Sequence, residues 1–273
     1  MRRNKLIDNS DSRLSRSIRD LNIWSSFLVA LLIFGFMHMA YDLAYGQENG
    51  VPVEFSAAEI RIETNSSDGD AGLQIFFDGE PWQRVRVTGP DGRQVYAVSN
   101  RNILRGLGST ELFMESNEPN FEEVSLPEIL AFIPEGEYNF NGITIEAANM
   151  EGSAILTHDL PCGPELTFPE EEQIIDPEIP LVIAWDPVTN KLNNETGECG
   201  EETNIQIIGY QVIVDNEDSE IQQRFDIKLP ADATTVSVPT EFIVPNTAYK
   251  FEVLAIEASG NQTISESNFM TSN

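Results

Sequence analysis

The stretch Ile243-Val244-Pro245-Asn246-Thr247-Ala248-Tyr249-Lys250-Phe251-Glu252-Val253-Leu254-Ala255 decides the fold class. Tyr249, Phe251, Val253 and Ala255 recur at every second residue, with Lys250 and Glu252 between them. A period of two places the first four on one face of a β-strand and the charged pair on the other. Pro245-Asn246 ahead of the run and Ser259-Gly260-Asn261 behind it are turn sequences, so the chain turns into this strand and hairpins back through Ile264 and Phe269.

The same alternation recurs upstream. Leu181, Ile183 and Trp185 share one face of Leu181–Trp185, and Ile208, Tyr210, Val212 and Val214 share one face of Ile208–Val214. With the Ile243–Ala255 corner, these segments resemble a fibronectin type III domain over residues 174–273. The resemblance implies a sandwich with Trp185 as its core tryptophan and Tyr210 on the third strand. It also implies that Tyr249 packs its ring in the core while its hydroxyl reaches a backbone partner at the corner. Residues Val188 to Ile205, rich in Asn, Glu and Gly, form a longer loop than that family carries between its second and third strands. It is either decoration or a binding surface.

Residues 53–160 read as a second, separate set of short strands. Ile60 and Ile62, then Leu73, Ile75 and Phe77, then Val85 and Val87, Val95 and Ala97, and Leu112 and Met114 each alternate with polar neighbours. Asp68-Gly69-Asp70, Asp78-Gly79, Gly89-Pro90-Asp91-Gly92 and Gly106 to Gly108 are the expected turns. The exception is Ser125 to Ile133, where Ser125 and Glu128 have capping-box spacing, Pro127 stands in the first turn, and Leu126, Ile129, Leu130 and Ile133 share a face. This predicts a short helix running through Pro134-Glu135-Gly136 into a strand bearing Tyr138. That pattern resembles an immunoglobulin-like corner, with Tyr138 anchored. The expected architecture is therefore all-β: two tandem β-sandwiches, immunoglobulin-like then fibronectin type III, after an N-terminal hydrophobic helix. An acidic, proline-containing linker is expected at 161–180.

The chain of 273 residues has 16 basic and 45 acidic side chains, a formal charge of -29, and 41% apolar residues. It carries enough apolar residues for a globular core, and too much negative charge for nucleic acid, which needs clustered Lys and Arg. Residues 1–22 reverse the balance, with six basic against three acidic side chains ahead of the 11 apolar residues Phe27–Met37. A positive flank before an apolar run directs export. Two readings stand for residues 1–46: a signal peptide cut after Ala44-Tyr45-Gly46, or an uncleaved anchor spanning residues 23–41, the chain's sole membrane contact. Either places the remainder outside the cytoplasm, secreted or anchored. There the two cysteines, Cys162 and Cys199, are most simply one disulfide, the alternatives being free thiols or half a metal site.

Catalytic signatures are missing: no Gly-x-Ser-x-Gly, no phosphate-binding Gly-Lys-Ser/Thr loop, no His-Glu-x-x-His. The one histidine beyond the leader, His158, reads as structural. Asp68, Asp70, Asp78 and Glu80 bracket a predicted hairpin and could offer oxygens to Ca²⁺, the single cofactor the sequence raises. Basic side chains concentrate in residues 61–105, whereas residues 106–190 hold eighteen acidic and no basic ones. Within the basic region Trp82, Arg84 and Arg86 alternate along one strand, either as an exposed aromatic-basic patch or with Trp82 capping the core, Val85 and Val87 inward and the arginines paired with acids. The leading expectation is a non-enzymatic interaction module for an extracytoplasmic protein or matrix component. The alternatives are a carbohydrate-binding module or cryptic glycoside hydrolase, and a calcium-dependent adhesion protein. The sequons at Asn65, Asn194 and Asn261 are acceptors for sugar in a host able to attach it.

Overall fold

The computed structural model describes residues 51–201 and 203–273. The leader at 1–46, with its cleavage site or 23–41 span, lies outside them, and no helix of the described residues is long and apolar enough to cross a membrane. The elements run β1 (Val53–Glu54), β2 (Ala57–Asn65), β3 (Asp70–Thr88), β4 (Gln94–Ser99), α1 (Leu104–Leu107), β5 (Ser109–Glu115), α2 (Leu126–Phe132), β6 (Gly136–Thr144) and β7 (Asn149–Leu156). They continue with β8 (Leu166–Phe168), β9 (Gln173–Ile175), β10 (Val182–Trp185), β11 (Ile207–Asn216), β12 (Gln223–Pro230), β13 (Thr235–Ser237), β14 (Ala248–Glu257) and β15 (Gln262–Thr271). The all-β expectation holds.

Two hydrophobic cores form. The second lies between the sheet β13-β10-β8 and the strands β12-β11-β14-β15. It buries Ile183, Trp185, Tyr210, Val212, Val214, Tyr249, Phe251 and Phe269. Trp185 and Tyr210 pack with ring centroids 5.4 Å apart. The corner tyrosine donates its hydroxyl to the Phe242 carbonyl at 3.1 Å and accepts from the Val244 N–H at 2.8 Å, so a buried ring costs no unpaired hydroxyl. Ile208 departs from the expected pattern. The β11–β14 register shifts between Ile207 and Gly209, and this bulge turns Ile208 out to solvent while Tyr210 onward points in.

The first core is built around β3, which departs from the expected pair of strands with a turn at Asp78-Gly79. It runs unbroken for 19 residues. Its first half pairs with β2 and β5 and its second half with β4 and β6. Gly79 is set by tertiary packing: a Cβ there would lie 2.7 Å from the Met150 methyl and 3.3 Å from the Phe55 ring. Where the chain bends, Trp82 pairs with Thr144 and Arg84 with the very next residue, Ile143. Gln83 is thus the extra residue of a β-bulge, and the bulge throws Trp82 and Arg84 onto opposite faces. Helix α2 forms as expected, Glu128 accepting from both the N–H and the hydroxyl of Ser125, with Leu126, Ile129 and Leu130 buried. Tyr138 is anchored too, its hydroxyl donating to the Pro134 carbonyl at 2.9 Å.

One hydrogen-bonded ladder joins the halves. Strands β2 and β15 pair in parallel, Glu63 opposite Gln262, Thr64 opposite Thr263 and Asn65 opposite Ile264, giving a 12-stranded sheet across both cores. Within the segment expected as a linker, β8 pairs with β10 and β9 with β15.

Candidate functional site

Arg84 and Arg86 stand on the outer face of β3, flanked by β4 on one side and by β6 and β7 on the other. Arg84 lies opposite Ser99 and Ile143, and Arg86 opposite Ala97 and Asn141. Val85 between them and Val87 after Arg86 are buried, so the core fixes both arginine backbones. A groove of about 430 Å³ follows, lined by Arg84, Arg86, Ser99, Asn141, Asn149 and Glu151 among others. Among the described residues the ion pairs involve Arg61, Arg93, Lys191, Arg224 and Lys250, and neither Arg84 nor Arg86. The expected pairing of these arginines with acids is thus not found, while the expected burial of Val85 and Val87 is.

Trp82 leaves the patch. It is 1% exposed and packs against Phe77 with centroids 5.5 Å apart. The Gln83 bulge is the reason, and burial removes the exposed ring that a sugar would stack on. The calcium candidates also separate. Asp68 and Asp70 sit at the β2–β3 turn, whereas Asp78 and Glu80 lie eight and ten residues further along the continuous β3, about 26 Å or more at ~3.3 Å per residue. The structure does not bring the four together.

A different carboxylate cluster, invisible in the linear pattern, sits on the seam. Glu63 of β2, Glu115 of β5 and Glu118 place oxygens within 4.8 Å of one another, the spacing of ligands around a single cation. Glu63 is buried and accepts from the Gln262 side chain across the β2–β15 ladder. Gln74 Nε2 donates to Glu115 at 2.7 Å, and Arg61 Nε donates to Gln74 Oε1 at 2.7 Å. Burial pushes the Glu63 carboxyl up. Desolvation, reinforced by Glu115 and Glu63, pushes Glu118 up to about 7. Asp70 is raised by burial and then by Asp68 and Glu266.

The remaining singled-out residues belong to neither cluster. Cys162 and Cys199 are disulfide-bonded. The Val188 to Ile205 loop folds onto the first core: Leu192 is buried there, its N–H donates to the Leu160 carbonyl at 2.9 Å, and Lys191 pairs with Asp159 at 2.6 Å. His158 bonds the Ile133 carbonyl through Nε2 at 2.7 Å, which is a packing role. Asn261 is wholly buried; its Oδ1 accepts from the Ile62 N–H at 2.8 Å and its Nδ2 donates to the Thr157 carbonyl at 2.9 Å and the Asp159 carbonyl at 3.1 Å. In the folded chain this sequon is closed to modification.

No family model matches the chain, and no curated protein does. Among solved structures it is similar to the first three fibronectin domains of chicken contactin, with 13% identity and a TM-score of 0.29, over 81% of this chain and 65% of that one. A two-domain fibronectin type III segment of chicken tenascin follows, with 9% identity and a TM-score of 0.27, over 79% of this chain and 98% of that one. A structure titled as a myokine aligns at 14% identity and a TM-score of 0.26 over 42% of this chain and 98% of its own.

Proposed function

We propose that the chain is a non-enzymatic, extracytoplasmic interaction module that binds a carboxylate-bearing protein or matrix surface through the outer face of β3, β4, β6 and β7. The carrying observation is that Arg84 and Arg86 stand exposed and without an ion-pair partner among the described residues. The chain around them is strongly acidic. A guanidinium presents a fixed planar fork of donors, and two of them on a strand backbone already locked by the core recognise carboxylates with little ordering cost. Ser99, Asn141 and Asn149 add neutral donors and acceptors in the same groove. The disulfide and the export-type leader support an oxidising, extracytoplasmic setting.

The test is retention of native extracytoplasmic material on the chain and on an Arg84→Glu/Arg86→Glu variant. Surface substitutions of this kind change stability by about 0.5 kcal/mol or less, so the variant folds and loses its partner. A partner retained equally by both would refute the assignment.

A further inference from the structure

The segment from Arg101 to Leu107, which contains α1, has no buried residue. Ile103 is 80%, Leu104 46% and Leu107 68% exposed, and Arg101 and Arg105 flank them with no ion pair among the described residues. Three exposed aliphatic side chains on one short turn carry a hydration cost that an isolated surface leucine does not. The turn is nonetheless firmly built. Asn100 donates through its backbone to Gln83 and through its side chain to the Trp82 carbonyl at 2.8 Å, and Ser109 donates to Asn100 at 3.1 Å. At its far end Gly108 takes φ +76°, and a Cβ there would lie 2.8 Å from Pro81 and 2.9 Å from Ile145. The turn therefore sits against the Ile145 to Ala148 loop. The chain enters the described structure beside that loop too, since Val53 pairs with Met150 in parallel.

We infer that the Arg101–Leu107 turn docks on a phospholipid bilayer surface, its aliphatic tip among the acyl chains and its arginines at the phosphates. Two observations select lipid. First, on the uncleaved reading of residues 1–46, on which this inference rests, a positive flank and the apolar run Phe27–Met37 precede the point where the chain enters at this end. The ten residue steps from Asp42 to Pro52 reach at most about 36 Å when extended. Second, the tip is exposed and aliphatic, with arginines whose stems can follow the apolar tip while their heads stay at the interface. It lacks the aromatic anchors and water-excluding rim that a protein contact favours. Glu80 and Glu146 lie at this end as well, so the apolar tip supplies the larger share of the attraction.

The full chain has two cysteines, both in the disulfide, so Leu107→Cys adds a single thiol for an environment-sensitive fluorophore. The labelled full chain is reconstituted in phosphatidylcholine vesicles with and without phosphatidylglycerol, and the label is challenged with nitroxide-bearing lipids. The expected result is blue-shifted emission quenched by those lipids and strengthened by phosphatidylglycerol, while a label at Asp232→Cys keeps its emission in water. An added Arg101→Gln/Arg105→Gln pair lowers the docked-to-undocked ratio about 25-fold, from about five-fold per arginine at an anionic surface. Water-like emission at position 107 in both lipid mixtures overturns the inference. So does a blue shift that nitroxide lipids do not quench, which would place a protein over the turn, and so does a ratio indifferent to the arginine substitutions.

Discussion

Replacing Glu118 with Gln tests the carboxylate cluster on the seam. Its carboxyl is raised from 4.5 to about 7, first by desolvation and then by Glu115 and Glu63. A group whose folded pKa lies above its unfolded one binds an extra proton in the native state. Stability is therefore full below about pH 4.5 and falls as pH rises toward 7, where the penalty is complete. Fully enclosed, a shift of that size would correspond to roughly 3 kcal/mol. Glu118 is exposed, and solvent screening brings the expected penalty to about 1 kcal/mol. Glu118→Gln removes it, so the variant is more stable than the parent by about 1 kcal/mol at pH 8 and equal to it at pH 4. Urea unfolding of both proteins across that range isolates the effect, because the background self-repulsion of an acidic chain cancels in the difference. In 1 M NaCl the difference shrinks as the like charges are screened. A variant equal to or weaker than the parent at pH 8, with no trend between pH 4.5 and 7, would show that the Glu118 carboxylate carries no such penalty.

Asn261→Ala leaves the Ile62 N–H and the Thr157 and Asp159 carbonyls without their buried partner. It is expected to cost about 2 to 4 kcal/mol in urea unfolding, and a loss below 0.5 kcal/mol would contradict the structural role. Removing both cysteines as Cys162→Ser/Cys199→Ser opens a closure spanning 37 residues, which the chain-entropy model values at about 3 to 4 kcal/mol; an unchanged unfolding midpoint would contradict it. Trp82→Ala is expected to cost about 3 to 5 kcal/mol, and in the parent its fluorescence resists iodide quenching, whereas ready quenching of Trp82 would return it to the surface.

What could be read from the sequence is what is local. The corner at Tyr249, the anchored Tyr138 and the capped helix Leu126–Phe132 each declare themselves within a dozen residues, because alternation, caps and turns are short-range chemistry. The departures share one cause, tertiary contact overriding local signals. Asp78-Gly79 has a turn's composition, yet Gly79 is there to admit Met150 and Phe55 beside the backbone. Single-residue bulges at Gln83 and near Ile208 invert the face of Trp82 and of Ile208, and no periodicity in one strand shows where a neighbouring ladder will slip. The Glu63–Glu115–Glu118 cluster needs the register of β2, β3 and β5 before its members meet. Glu63 and Glu115 do alternate with the apolar core positions of their strands, which is the one trace of it in the sequence. The arginine pair was legible as a patch, but its neutral neighbours Asn141 and Asn149 come from strands some sixty residues away.

The interaction face is tested most directly by photo-crosslinking from its centre. A photoreactive amino acid in place of Ala97, opposite Arg86, is exposed to native extracytoplasmic material in the parent and in the Arg84→Glu/Arg86→Glu background. One defined protein or matrix product is expected, which disappears when the arginines are reversed and is absent when the probe replaces Asp232. A product of equal yield in both backgrounds, or crosslinking at Asp232 but not at Ala97, would contradict binding at this face.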